Sequence, residues 1–314
     1  MHVVVFYAAI LLLTLVPNAH ADVTVSVGVQ RLHLSFDDDF PEPPKDKMRD
    51  WLAVVGKAMT TVYGSLPRDD IYVTLVAHPS SREAVPWAHV ERGQRSGVRF
   101  YVNPAKPLAE FIDDWTAYHE FSHLLIPYPG EPDLWFSEGL ASYYQNVVRA
   151  RSGKLSSRQA WQKLYRGFER GAADTRMSQL TLAELSPRMR ETASFMRVYW
   201  SGAYYFLAVD LALRKRGQSL DRALAGLKAC CLEDRDDWSA ASLAERLDQI
   251  AGGSEFTREY ARMRRQTGMP DFEKLLRENG LEIVDGYVSD EDALPSASAI
   301  MRPQDALRRN AASR

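Results

Sequence analysis

Apolar and polar positions alternate at the start of the mature part of the chain. VTVSVGV at 23–29 and RLHLSF at 31–36 put every second side chain on one face, which predicts two half-buried strands. Asp37-Asp38-Asp39 and the PEPP run at 41–44 break that rhythm. Met48 to Tyr63 then takes up helical spacing, with Trp51, Leu52, Val55 and Met59 on one side. IYVTLVAH at 71–78 and GVRFYVN at 97–103 again read as strands, so 22–104 is expected to be a β-rich N-terminal part with one helix. From Leu108 onward helix-length segments take over. Candidate helices cover 107–125, 136–150, 157–169, 197–216, 219–230, 241–251, 255–266 and 271–279, giving a helical part at 105–286. Beyond 287 the chain mixes small, polar and basic residues without a period and is expected to be a mobile tail to Arg314. The pattern as a whole is that of an α+β protein.

Composition narrows the picture. With 314 residues, 46% of them hydrophobic, the chain can bury a substantial core, which excludes a disulfide scaffold, a collagen-like chain and wholesale disorder. Lys plus Arg is 39 against 41 for Asp plus Glu, so no charge excess advertises a nucleic-acid groove or a polybasic membrane patch. Val3 to Val16 is an apolar run the length of a signal-peptide core, too short to span a bilayer, and Ala19-His20-Ala21 suits cleavage before Asp22. Residues 1–21 are therefore expected to direct export to the periplasm or medium and be removed. No Lys or Arg precedes the run, which leaves a membrane anchor as the alternative. Cys230 and Cys231 are adjacent. They read as two small apolar residues ending a helix, with a vicinal or reactive pair as the alternative.

The chemistry concentrates at His119-Glu120-Phe121-Ser122-His123, an H-E-x-x-H pattern inside a predicted helix. Two histidines four residues apart project from nearly the same face and can bind one zinc ion, while Glu120 is turned by about 100° and can reach a water there. Apolar neighbours Ile112, Trp115, Leu124 and Leu125 make this polar group partly buried, and buried polar groups need partners. A catalytic zinc usually has three protein ligands and one open position. After His123, prolines at 127, 129 and 132 end the helix, and Glu138 opens the next one, which a turn of this length can fold back on the first. Glu138 is the preferred third ligand. Glu131 and Asp133, in the connecting loop, are the rivals. Ser142 reads as a helix-packing residue with a ligand-orienting role as the alternative. His33, His78 and His89 lack paired spacing and read as structural, His89 alone being placed to meet a substrate. By periodicity Tyr199, among Trp200, Tyr204, Tyr205 and Phe206, belongs to an aromatic core stripe.

H-E-x-x-H followed by Trp135, Glu138, Gly139, Tyr143 and Tyr144 in a W-x-x-E-G-x-x-x-Y-Y arrangement resembles the gluzincins, zinc metallopeptidases of the peptidase MA-like superfamily whose third ligand is a glutamate on a following helix. Within them it looks most like the catalytic domain of the glycyl aminopeptidase family. VYWSGAYYFLAVDLALRKRGQSLDRAL at 198–224 is similar to that family's Y-x-x-G-A segment, and PDFEKLLRENGLEI at 270–283 resembles the end of its catalytic domain. The resemblance implies a thermolysin-like zincin fold, one zinc ion on His119, His123 and Glu138, Glu120 as general base, Tyr199 as the hydroxyl that stabilises the tetrahedral intermediate, and a peptide or protein substrate. Two departures limit it. The spacing from His123 to Glu138 is shorter than in the large aminopeptidases, and no G-x-M-E-N segment is present to hold a free amino end. The competing expectation is a catalytically inactive peptidase fold serving as a binding module of the cell envelope.

Overall fold

The computed structural model describes residues 23–41, 45–92, 96–233 and 237–302; the expected signal peptide and residues 303–314 lie outside the described residues. It is a mixed α/β protein with an N-terminal sheet and a mainly helical remainder. β1 (Val23–Val27), β2 (Gln30–Phe36), β3 (Asp70–Ala77), β4 (Trp87–Glu91) and β5 (Gly97–Val102) form one sheet in the order β1-β2-β3-β5-β4. The inner strands β2, β3 and β5 run parallel, and β1 and β4 pair antiparallel on either edge. Helix α1 (Lys45–Met59) makes the crossover that a parallel β2–β3 pair requires.

Alternation along the strands decides which face is covered. Leu32, Leu34, Ile71, Val73, Leu75, Val98, Phe100 and Val102 are fully buried on one side of the sheet. Trp51 of α1 meets Phe100 edge-on at 5.2 Å, and Phe100 stacks on Phe121 of the metal-motif helix at 6.3 Å. The motif helix is thus packed onto the buried face of the sheet, and sheet and helices share one hydrophobic core.

β4 is absent from the sequence expectation. Its five residues offer one buried side chain, Ala88, and Pro86 precedes them, so the apolar alternation is too weak to read. Its presence has a consequence for the cleft. The predicted strand at 97–103 becomes β5, an interior strand, and β4 is the edge strand on that side.

The predicted helix over 107–125 is broken. α2 (Leu108–Asp113) ends where Asp114 turns extended, and the Asp114 carboxylate accepts from the Thr116 backbone N–H at 2.7 Å, starting α3 (Thr116–Ser122) afresh. His123 opens a short 3-10 turn, His123–Leu125. The remaining helices are α4 (Leu134–Arg151), α5 (Ser157–Ala173), α6 (Leu182–Leu185), α7 (Met189–Thr192), α8 (Phe195–Lys215), α9 (Leu220–Cys230), α10 (Ala240–Ala251), α11 (Glu255–Met263), α12 (Phe272–Arg277) and α13 (Pro295–Ser298). α6 and α7, too short to show a period, escape sequence reading.

Residues 287–302, expected in a mobile tail, are packed. β6 (Glu282–Val284) and β7 (Tyr287–Ser289) form a hairpin whose turn residues Asp285 and Gly286 both have positive φ. Ala297 and Ile300 are fully buried, and Arg151 Nε donates to the Ile300 carbonyl at 2.8 Å. The missed signal was the Asp-Gly pair. Cys230 and Cys231 are disulfide-bonded to each other where α9 ends, a vicinal pair rather than two packed apolar residues; the backbone leaves the helix at Cys231, which composition does not reveal. A loop this small removes little chain entropy. No described helix is long and apolar enough to cross a membrane.

Candidate metal centre

Every residue of α3 is buried, and His119 within it and His123 just past its end stand one turn apart with ring centroids 4.8 Å apart. Each imidazole is held from behind. His119 Nδ1 donates to Gln145 Oε1 at 2.9 Å, which turns Nε2 toward the site, and His123 Nδ1 lies 2.9 Å from Ser137 Oγ. Both Nε2 atoms then face Glu138, whose Oε2 is 3.2 Å from His119 and 3.5 Å from His123.

α4 brings Glu138 there because it packs against α3 on one side and α8 on the other. The α4–α8 crossing is built on two glycines: a Cβ on Gly139 would lie 2.3 Å from Gly202 backbone, and one on Gly202 would lie 2.0 Å from the Trp135 carbonyl. Only glycine permits this approach. It carries Tyr199, one turn before Gly202, over the site, where its ring stacks 6.0 Å from that of His119 and lines the same cavity as Glu138. Tyr199 is only partly buried, unlike Tyr205, which stays in the core as expected.

The electrostatics match the geometry. Burial alone would raise the Glu138 pKa, but attraction to His123 and the hydrogen bonds from both imidazoles hold its carboxyl well below the usual range. His119 feels burial pushing its pKa down, and Glu138 outweighs this and raises it. Burial, then the negative charges of Glu138 and Glu120, push the Tyr199 hydroxyl up, so it stays a proton donor at neutral pH. Glu120 is buried and lines the same cavity of about 400 Å³, which β4 walls through Trp87, Ala88, His89 and Val90. His89 accordingly reaches the cavity, whereas His33 pairs with Asp70 at 2.6 Å on the sheet.

The donor set suits zinc. Ligands about 2.0–2.2 Å from a tetrahedral ion sit roughly 3.3 Å apart, close to the two separations found here, and the three ligand atoms all lie within 4.8 Å of one another. Both rival ligands are engaged elsewhere: Glu131 accepts from Tyr128 at 2.6 Å and Arg190 at 2.7 Å, and Asp133 accepts from the Ala240 backbone N–H at 3.1 Å. Ser142 is buried and contributes no ligand contact; the imidazoles are oriented by Ser137 and Gln145, which sequence reading missed. Gln145 lies two turns after Glu138 on the same face of α4, a spacing that points to it. Arg92, stacked 4.0 Å over the Tyr128 ring, supplies a positive charge toward Glu138 and Glu120.

This scaffold and donor set resemble those of the gluzincin zinc peptidases. The M61 glycyl aminopeptidase family model matches residues 129–204, the stretch that carries Glu138, the Gly139–Gly202 crossing and Tyr199. Among solved structures, an aminopeptidase N family protein from Idiomarina loihiensis is similar in fold, with a TM-score of 0.58 at 14% identity, covering 84% of this chain and 49% of that one. An M1 zinc metallopeptidase from Deinococcus radiodurans aligns with a TM-score of 0.49 at 16% identity over 79% of this chain and 51% of that one. The chain spans about half the length of these structures. No curated protein matches the sequence.

Proposed function

We propose that the chain is a zinc-dependent peptidase that hydrolyses peptide bonds with His119, His123 and Glu138 as ligands, Glu120 as general base and Tyr199 as oxyanion donor. The observation that carries this reading is the convergence of both Nε2 atoms on one Glu138 oxygen, at 3.2 and 3.5 Å. A zinc ion held there would supply Lewis acidity and a water acidified toward neutral pH. Glu120, next to His119 on the buried helix, takes the proton from the attacking water and passes it to the leaving amine. The Tyr199 hydroxyl donates to the oxygen that becomes negative. Gln145 and Ser137 keep the imidazoles turned so that Nε2 faces the ligand position. β4, as the edge strand of the sheet beside the site, offers backbone groups to an extended peptide.

The test is Glu120→Gln in the purified protein, with zinc measured by mass spectrometry and cleavage followed on a peptide library. The expected variant retains one zinc per chain while hydrolysis falls by about 10²–10⁴. A wild-type protein that binds zinc and peptides yet cleaves nothing would favour the inactive binding module. The same reading places the enzyme outside the cytoplasm, because the apolar run at 3–16 and Ala19-His20-Ala21 form an export signal. Terminal sequencing of the exported chain should begin at Asp22; a chain retaining Met1 in the membrane fraction would make the run an anchor.

A further inference from the structure

A second cavity, of about 700 Å³, meets the first at His119 and Tyr199, which line both; β4 walls the first cavity and α5 walls the second. Its charged lining is of one sign. Lys163, Arg166 and Arg170 project from α5 at spacings of three and four, which puts them on one helix face, and Arg149 joins them from α4. Among the described residues no Asp or Glu lines it. Arg166 is paired with Glu169 at 2.7 Å and Arg149 donates to the Asp113 carbonyl at 2.6 Å, but among the described residues neither Lys163 nor Arg170 has a carboxylate partner. Arg170 rests over the Trp200 ring at 5.1 Å. Burial lowers the Lys163 pKa, and Arg149 and Arg170 add to this against a weaker pull from Asp113. In the wall, the buried Asn146 Nδ2 and Arg149 Nε have no partner among the described residues, so this side of the cleft offers unused donors. Trp115, half exposed beside His119, and Trp200 give the path an apolar flank.

We propose that this cavity takes a carboxylate of the peptide substrate, so that the enzyme prefers peptides carrying an anionic group near the bond it cuts. The substrate class rests on the hydrolytic reading above. Lys163, Arg166 and Arg170 are exposed at the rim of a cavity that reaches the reacting atoms, and in a chain of net charge −2 this local group of cations selects a charge on the substrate rather than a polyanionic surface. The carboxylate has two sources, a free C-terminus or an Asp or Glu side chain, and the chemistry that holds either is the same.

The test uses zinc-loaded Glu120→Gln protein and fluorescence anisotropy of two pairs of labelled pentapeptides. One pair differs only in a free or amidated C-terminus, and the other, amidated, only in an internal Glu or Gln. In at least one pair the carboxylate member should bind about tenfold tighter at low ionic strength, with the gap narrowing in about 0.5 M salt. The pair that discriminates identifies the source. Lys163→Glu combined with Arg170→Glu should abolish or invert the preference, whereas Arg158→Glu, on the same helix but outside the cavity, should keep it. Equal affinities within both pairs, or a gap that survives the double charge reversal, would overturn the proposal. Wild-type cleavage separates the two readings: neutral and acidic peptides cut at equal rates sink the carboxylate site alone, while discrimination in binding without any cleavage sinks the hydrolytic reading alone.

Discussion

At the residue scale, the site depends as much on what stands behind the imidazoles as on what they face. Gln145 Oε1 can only accept, so it fixes the proton of His119 on Nδ1 and presents Nε2 toward Glu138. Removing it frees the ring to turn and to protonate at the ligand nitrogen. Gln145→Ala should therefore weaken zinc binding by about 10–100-fold, as read in a competition titration with a chelator. Tyr199→Phe should behave in the opposite way. It should keep zinc affinity within about twofold and lower kcat by about 10²–10³, because a hydroxyl that stabilises developing charge does not hold the ground state. Equal losses of metal in the two variants would deny Tyr199 that part. The metal motif was legible in the letters H-E-x-x-H, whereas Ser137 and Gln145 were not, since their role follows from which helix face meets α3.

At the scale of elements, the crossing of α4 and α8 sets the distance between Glu138 and Tyr199. Gly139 and Gly202 face each other at a separation that leaves no room for a methyl group. Gly202→Ala must push the helices apart, since a Cβ there would lie 2.0 Å from the Trp135 carbonyl. The expected cost is about 1–3 kcal/mol of stability from overpacking, seen as a lowered Tm. Activity should fall further than that loss explains, because Tyr199 moves with α8. A variant with an unchanged Tm would show that the crossing has slack. The helix periods at 136–150 and 197–216 were readable from one-dimensional spacing, within two or so residues of α4 and α8. The break at Asp114 was not, because a single side chain competing for one backbone N–H leaves the apolar period intact.

At the scale of the molecule, a buried ionic network joins the site's supporting helices. Arg151 at the end of α4 forms two hydrogen bonds with Asp221 of α9, at 2.8 and 3.0 Å, with both side chains fully buried. Arg214 of α8 bonds both Asp210 and Asp221, at 3.0 and 3.2 Å, and Tyr143 and Tyr144 donate to the same two acids at 2.8 Å each. Two acids thus balance two guanidiniums. Asp221→Ala leaves Arg151 and Arg214 short of a counter-charge in the core and should cost about 3–5 kcal/mol, measured by urea unfolding. A loss below about 1 kcal/mol would mean that water enters the network. Arg151 also binds the Ile300 carbonyl, so residues 295–301 are tied to the same hub.

What was readable along the chain is what depends on near neighbours: strand and helix periods, the i, i+4 pair of histidines, and the short turn after them that pointed to Glu138, a choice the W-x-x-E-G-x-x-x-Y-Y resemblance also implies. What needed the folded molecule is what depends on groups far apart in sequence. β4 became a strand through its pairing with β5, and Glu131 and Asp133 were dismissed by their partners at 190 and 240. Tyr199 was lifted out of an aromatic stripe by a glycine contact sixty-odd residues away. Local patterns follow from backbone geometry, which every short segment carries within itself. A site and its charge balance follow from distances that exist only after the chain has closed on its core.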